Sequence, residues 1–169
     1  MSPKGTFEWG IGLTPDYLWF NGDATFITLD DEFDPETVVA INQLHGDKDD
    51  ETALIFPMKV FYAVQPFDAG TNKLVVPNLF PTNPETAYWK NWDWALAAQG
   101  GQAVVGREFS GELGWVETVM YWPLTHQVSS ADQALQCEAC HSEESILDFA
   151  ALGYSEEDVA KLQSFPPEE

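Results

Sequence analysis

The chain has 169 residues and a formal net charge of −21, from 28 acidic and 7 basic residues. A field of that sign repels nucleic acid and anionic membrane surfaces and attracts basic proteins and cations, although solubility or adaptation to salt explains the charge equally well. Apolar residues make up 44% of the chain, and no apolar run approaches the ~20 residues of a membrane-spanning helix, so neither disorder nor a transmembrane protein is indicated.

The first third of the chain predicts a hairpin and a helix. Apolar and polar residues alternate over 24–29 after a turn signal at 21–23, a pattern typical of a strand in a hairpin. Asp34 followed by proline is typical of a helix N-terminus, and it predicts a helix over 35–44 with His45 at its end.

The middle of the chain predicts strands separated by loops, followed by a longer helix. Two apolar runs, over 52–56 and 58–64, are typical of strands. Asn83, again followed by proline, predicts a helix over 84–98 that is ended by Gly100 and Gly101.

The predicted helix over 84–98 carries aromatic residues at helical spacing. Tyr88, Trp92 and Leu96 recur every four residues and therefore share one face. Such a face packs either in the protein core or against a porphyrin, and core packing is the commoner of the two.

The last third of the chain predicts three short helices after an apolar, β-branched run over 111–122. A capping box at 130–133 predicts a helix over 131–139. Two further short helices are predicted over 145–152 and 155–162.

The sequence Cys-Glu-Ala-Cys-His at 137–141 is what covalent attachment of a c-type haem requires. Cys137 and Cys140 are spaced to add to the two haem vinyl groups, and His141 is placed to ligate the iron of the same haem. The chain has two cysteines, so one haem c per chain is the most that it can attach in this way.

Two other kinds of site use the same residues. A redox dithiol needs Cys137 and Cys140, but it is typical of a strand-to-helix context. A zinc site takes Cys137, Cys140 and His141, with His126 or His45 as the fourth ligand. The spacing favours haem over both alternatives.

Three longer runs resemble the C-terminal part of the octahaem tetrathionate reductase-type family of multihaem cytochromes c. They are the tryptophan-rich run 85–94, the run 114–123 with His126 behind it, and the run 134–142 with the segments 147–149 and 151–154 after it. The resemblance implies a periplasmic or extracellular electron carrier or reductase whose haems are mostly ligated by two histidines.

The chain also departs from this family. The family's catalytic haem is attached through a motif that ends in lysine, and this sequence contains no such motif. The family tends to have histidine after Lys-Val, whereas this chain has Phe61, which cannot ligate iron. We therefore interpret the chain as a one-haem remnant, or an engineered reduction, of a many-haem ancestor.

His126 is the favoured sixth ligand of the iron, because it matches the Trp-Pro-x-x-His position of the family. His45 is the second candidate, and Met58 and Met120 are further candidates that are more typical of core residues. His141 is expected to donate its other ring N–H to a carbonyl or a carboxylate.

The sequence thus predicts an α+β protein, a single monohaem cytochrome c-like domain over 1–169, with short helices around the haem and a small irregular β portion. Its predicted function is electron transfer through a bis-histidine haem c, with redox proteins or other haem subunits as partners in a homo- or hetero-oligomer. The alternatives are an open-site haem reductase or sensor for a small nitrogen or sulfur oxide or a diatomic gas, and an assembly subunit whose haem staples the fold. Residues 1–5 lack the apolar core of a signal peptide, so we expect an exported chain whose signal was removed or that belongs to a longer protein.

Overall fold

A mixed β-sheet and a few short helices make up the described part of the chain, residues 6, 8–80, 83–126 and 129–164 of a computed structural model. This architecture confirms the α+β fold class. The strands are β1 (Asp16–Phe20), β2 (Ala24–Phe26), β3 (Val39–Ala40), β4 (Asn42–Leu44), β5 (Leu54–Asp68), β6 (Lys73–Leu74) and β7 (Leu113–Pro123). The helices are α1 (Tyr88–Asn91), α2 (Trp94–Val104), α3 (Cys137–His141) and α4 (Glu156–Leu162). No helix within these described ranges has the length and apolar character of a membrane span.

The main sheet has five strands in the order β1-β5-β7-β3, with β6 also paired to β5. β1 runs antiparallel to β5, so that Asp16 lies opposite Met58. β3 runs parallel to β7, with Val39 opposite Thr118. β2 and β4 pair antiparallel in a separate two-stranded sheet.

The described residues fall into two compact units. The first unit consists of the residues up to 23, residues 45–59 and the residues from 122 onward. The second unit consists of residues 24–44 and 60–121. The Cys-x-x-Cys-His segment belongs to the first unit, and the tryptophan-rich run belongs to the second.

The core of the second unit is built on β3, β5 and β7. Val39, Phe67 and Val116 are 6%, 5% and 2% exposed and form one buried cluster. The ring of Phe33 meets the ring of Phe67 edge-on, with 5.3 Å between their centroids. Burying a side chain of this size contributes about 1.5–3 kcal/mol, so the cluster stabilises this unit.

The hairpin predicted at 21–23 and the helix predicted over 35–44 are both wrong. β1 pairs with β5, and β2 pairs with β4. The carboxylate of Asp34 does accept a hydrogen bond from the amide of Glu36, at 3.0 Å, but it caps a single turn. The β-branched residues that follow extend into β3 and β4, because pairing with β7 and β2 outweighs their weak local preference for a helix.

The two strands predicted over 52–56 and 58–64 are one continuous strand, β5. Pro57 lies within it, opposite Tyr17 of β1. The carbonyl of Pro57 accepts a hydrogen bond from the amide of Leu124 at 2.9 Å, so the proline keeps a partner although it has no amide proton to donate.

The helix predicted over 84–98 is two helices. α1 ends at Asn91, and Trp92 takes a left-handed backbone conformation with φ of 57°. Asp93 then starts α2, because its carboxylate accepts a hydrogen bond from the amide of Leu96 at 3.0 Å. A second capping residue inside the predicted helix therefore breaks it.

α2 also runs past the glycines that were expected to end it. Gly101 is needed here for close packing, since a Cβ atom at this position would overlap the carbonyl oxygen of Val76. The side chain of Gln102 accepts a hydrogen bond from the amide of Val76 at 3.0 Å and fixes the same contact. Gly101 therefore allows close packing of α2 and does not end the helix.

The C-terminal helices are shorter than predicted, apart from the last. The segment 131–139 starts with a 3-10 turn over Ala131–Gln133, is extended at Ala134, and forms a helix again in α3. Residues 145–152 form turns instead of the predicted helix. The helix predicted over 155–162 is confirmed as α4.

Candidate functional site

α3 places the two cysteines one helical turn apart. Cys137 and Cys140 stand at positions i and i+3, which share one face of a helix, and neither forms a disulfide. Cys137 is exposed and Cys140 is partly buried, so a planar ligand can reach both sulfur atoms. His141 is the last residue of the helix.

Local hydrogen bonds hold α3, which is too short to be stable alone. The hydroxyl of Ser145 donates to the carbonyl of Cys140 at 2.8 Å. The amide of Ile146 donates to the carbonyl of Ala139 at 2.9 Å. The turns that replace the predicted helix over 145–152 therefore satisfy carbonyls at the C-terminal end of α3.

The imidazole of His141 is oriented by the backbone of α4. Its Nδ1 atom lies 2.9 Å from the carbonyl oxygen of Leu162, the last residue of that helix. A carbonyl can only accept a hydrogen bond, so Nδ1 is the donor, and in the neutral imidazole Nε2 then keeps a lone pair. This contact confirms the expectation that His141 donates its other ring N–H to a carbonyl, and it leaves Nε2 for a metal.

A buried phenylalanine fixes the plane of the same imidazole. The ring of Phe149 is 4% exposed and stacks on His141, with 6.2 Å between centroids and 28° between planes. Tyr154 packs edge-on against Phe149 at 5.7 Å. The indole N–H of Trp19 donates to the carbonyl of Leu152 at 2.8 Å, which attaches this small cluster to β1.

α4 has the caps that a seven-residue helix needs. The hydroxyl of Ser155 accepts a hydrogen bond from the amide of Asp158 at 3.2 Å. Glu157 in the first turn pairs with Lys161 in the last, at 2.8 Å, in the order that the helix dipole favours. The carbonyl of Leu162 lies at the end of this helix, where carbonyls lack partners within the helix.

Tyr17 lies close enough to Cys140 for their charges to interact. Burial raises the pKa of Tyr17, and the negative charge of the Cys140 thiolate raises that pKa further. Alkylation of the Cys140 sulfur would remove that charge, and burial alone would then raise the pKa of Tyr17.

Sequence reasoning missed Tyr17, Phe149 and the carbonyl of Leu162. A backbone carbonyl carries no residue-type signal, and no motif marks a ring that packs on a ligand histidine.

His126 lies in an exposed bend after β7, and residues 127 and 128 lie outside the described part of the chain. Within the described residues, the imidazole of His141 has a hydrogen-bond partner in Leu162 and a stacking partner in Phe149, and His126 is neither of these.

The other candidate ligands are placed in other ways. His45 follows β4 rather than a helix, and its Nδ1 lies 3.4 Å from a carboxylate oxygen of Asp23. Met58 is 0% exposed in β5, which fits a core residue rather than a ligand. Met120 is partly buried in β7.

The zinc alternative finds no preformed site. Within residues 6, 8–80, 83–126 and 129–164, no group of three or more His, Cys, Asp or Glu side chains is arranged to hold a metal ion. The donor set at α3 fits a haem c instead, since two thiols one turn apart and one free Nε2 are what that group needs.

Comparisons with known proteins agree with this fit. A family model described as "Cytochrome c bacterial" matches residues 1–144, which include Cys137, Cys140 and His141. The chain is also similar to the crystal structure of octaheme cytochrome c from Shewanella oneidensis, with a TM-score of 0.82 and 33% sequence identity over 98% of this chain and 38% of that one. The chain thus spans well under half the length of that protein. No curated protein gives a significant match. The resemblance to octahaem cytochromes c that the sequence runs indicated is confirmed.

Proposed function

The chain belongs to the bacterial cytochrome c family, and we propose that it transfers single electrons through one haem c attached to Cys137 and Cys140. The observation that carries the proposal is the geometry of His141, whose Nδ1–H is held by the Leu162 carbonyl at 2.9 Å while Nε2 is free. The two cysteines of the chain set the limit of one haem.

His141 is the proximal ligand in this proposal. Its hydrogen bond to Leu162 makes the imidazole a stronger donor, which stabilises the ferric form and lowers the reduction potential. The net charge of −21 acts in the same direction, because negative charge favours the more positive iron. Phe149 stacks on the imidazole and would limit its rotation when Nε2 holds the iron.

We assign His126 as the distal ligand. Its exposed position in a bend after β7 leaves its side chain able to turn toward an iron atom. His45 is a weaker candidate because it does not stand at the family's Trp-Pro-x-x-His position, which His126 matches. Two histidine ligands leave no open coordination position for a substrate, so the protein is an electron carrier rather than a catalyst.

When bound, haem c supplies the ferric/ferrous couple, and the chain supplies the ligands, the field and the surface through which partners approach. Cys137 is exposed, so the thioether edge of the haem would face solvent. The acidic surface steers basic partners toward the protein.

We place the protein in the periplasm or outside the cell, because bacteria attach haem c beyond the cytoplasmic membrane. Its partners are redox proteins, including other haem subunits. We treat residues 1–169 as one monohaem domain of such an assembly.

Mass spectrometry and haem quantification of the purified protein test the proposal. We expect one covalently bound haem per chain, on the peptide that contains Cys137 and Cys140, and reversible reduction and reoxidation in solution. The double variant Cys137→Ala/Cys140→Ala retains no covalent haem. A parent protein that folds without haem, or that binds zinc at these residues, would overturn the proposal.

A structural role for the haem is a second candidate, and the small number of buried side chains around α3 favours it. Among the described residues from 129 to 164, Phe149 and Leu152 are the buried ones. If the haem only stapled the fold, the protein would need it to fold but would exchange electrons with partner proteins no faster than a free haem peptide.

A further inference from the structure

An aromatic cluster in the second unit exposes three tryptophans. The rings of Trp89, Trp92 and Trp94 lie 5.2, 5.5 and 4.0 Å from that of Tyr88, and Trp115 meets Trp94 at 5.4 Å. Trp89, Trp92 and Trp115 are 40%, 46% and 47% exposed. Trp92 therefore is not the core residue that helical spacing indicates. We refer to the five residues Tyr88, Trp89, Trp92, Trp94 and Trp115 as the aromatic cluster.

The backbone beneath the aromatic cluster is held firmly. The amide of Tyr88 donates to the carbonyl of Asn78 at 2.9 Å, and the amide of Asn78 donates to the carbonyl of Ala97, a fully buried residue of α2, at 2.8 Å. Trp92 keeps a left-handed conformation, φ 57°, that side chains other than glycine rarely adopt. The backbone that carries the rings is thus ordered before any partner arrives, which lowers the entropy lost on binding.

The neighbouring segment extends this apolar surface. The amide of Trp89 donates to the carbonyl of Leu79 at 3.2 Å, so the two chain segments lie side by side. Leu79 is 40% exposed and Phe80 is 75% exposed. Clustered exposed aromatic side chains of this kind mark binding surfaces, and tryptophan is the residue most enriched among those that dominate binding energy.

We propose that the aromatic cluster is the docking surface for a basic, haem-bearing partner protein, whose exposed porphyrin edge packs against Trp89, Trp92 and Trp115. The inference rests on the proposed function, because a carrier that attaches one haem must pass its electron to a redox centre outside this sequence. Flat aromatic rings match a porphyrin in shape and polarity.

Charge selects the kind of partner. A second copy of this chain would bring another charge of −21 to the contact, and the two copies would repel each other. A protein with a basic rim around its haem edge is attracted over a distance and then buries the tryptophans at close range.

Binding to a small basic cytochrome c with an exposed haem edge tests the proposal. Titration calorimetry at low ionic strength compares the holoprotein with Trp89→Ala/Trp92→Ala and with Trp115→Ala, which alters β7 and leaves α1 intact. We expect each variant to raise the Kd about tenfold. Trp122→Ala is the matched control, because Trp122 is 56% exposed and lies outside the aromatic cluster.

Two results would overturn the docking surface. One is a Kd that stays within about twofold of the parent value in both variants. The other is a parent that forms a dimer which Trp115→Ala dissolves, since a second copy would then be the occupant. Reduction and reoxidation of each protein by a small mediator separates this test from that of the proposed function. A parent whose own haem does not cycle contradicts electron transfer itself, whereas normal cycling with unaltered binding rejects the docking surface alone.

Discussion

The segment that carries the haem motif and the second unit are stabilised in different ways. Among described residues 129–164, Phe149 and Leu152 are the buried ones. The second unit buries side chains from β3, β5, β7 and α2, among them Val39, Phe67 and Val116. The second unit thus contains its own core, whereas the segment around α3 is arranged to gain its core from the group that it binds.

The energies of the contacts around α3 support this difference. The contacts of Ser145 with Cys140 and of His141 with Leu162 are single hydrogen bonds, each worth about 0.5–1.5 kcal/mol. Ordering the backbone costs about 1–2 kcal/mol per residue, which a few such bonds do not offset. An attached haem, with its large apolar surface, supplies what is missing.

The largest expected effect is therefore that of removing the haem. In Cys137→Ala/Cys140→Ala we expect amide protection over residues 137–162 to fall nearly to that of an unfolded chain, while the core strands of the second unit keep theirs. Hydrogen exchange followed by mass spectrometry measures both regions in one experiment. Full protection over 137–162 without haem would show that this segment is stable by itself. The proposed difference between it and the second unit would then be wrong.

A backbone collision in the second unit should have the next largest effect. Gly101→Ala forces a Cβ atom against the carbonyl of Val76 and should lower the free energy of unfolding by about 3 kcal/mol. Gly106→Ala is the control, because a Cβ there meets nothing within 4 Å and the cost comes from its φ of +71°, about 1 kcal/mol. Denaturant unfolding should rank the two variants in that order, and equal losses would contradict the close packing of α2.

A buried carboxylate makes the second unit sensitive to acid. Asp68 is 1% exposed, and its oxygens accept hydrogen bonds from the amides of Gly70 and Ser110, both at 3.0 Å, and from the Ser110 hydroxyl. Burial acts to raise the pKa of Asp68, but these hydrogen bonds outweigh it and the pKa lies below its ordinary value of 3.8. We expect Asp68→Asn to cost about 2 kcal/mol at pH 7, because an amide group would face the donors.

The sign of the pH dependence follows from that lowered pKa. The stabilisation by Asp68 is complete above pH 3.8 and is lost as the pH falls from there through the lower pKa of the folded state. The difference in unfolding free energy between the parent and Asp68→Asn should therefore shrink on acidification. Glu117→Gln, at an exposed position of β7, controls for the change in net charge. A difference that stays constant down to pH 2 would contradict the assignment.

The smallest effect is expected at the cap of α4. Ser155→Ala removes the acceptor for the amide of Asp158 and should cost about 1 kcal/mol. Exchange of the α4 amides should become about fivefold faster, and the reduction potential should rise slightly as the hydrogen bond from His141 to Leu162 weakens. Ser155→Asp keeps an acceptor and should restore both values. If Ser155→Asp does not restore the stability of α4, the Ser155 hydroxyl does not act as the acceptor that caps the helix.

What the sequence predicts well is what neighbouring residues decide. The cap at Ser155 depends on residues within one helical turn, and α4 begins after it as predicted. Asp34 gives an equally clear cap, yet the chain after it is extended, because pairing of β3 with β7 joins residues far apart in sequence. Local signals therefore predict where a helical turn begins, but they do not predict whether a helix continues beyond that turn.

The parts of the site that were missed depend on distant contacts in the same way. The partner of His141 is a main-chain oxygen 21 residues away. Phe149 is one of 11 phenylalanines, and nothing in its neighbours marks it as the ring that stacks on His141. A motif predicts which residue type occupies a site, but it does not predict which distant residues that side chain contacts in the folded protein.

The central claim is that the haem on α3 has two histidine ligands and carries electrons. Visible and low-temperature EPR spectra of the purified protein in both redox states, with CO added to the reduced form and His126→Ala alongside, test it most directly. We predict a low-spin haem that does not bind CO in the parent and a high-spin, CO-binding haem in His126→Ala. A parent that is high-spin and binds CO would contradict the account and would favour an open-site reductase or sensor.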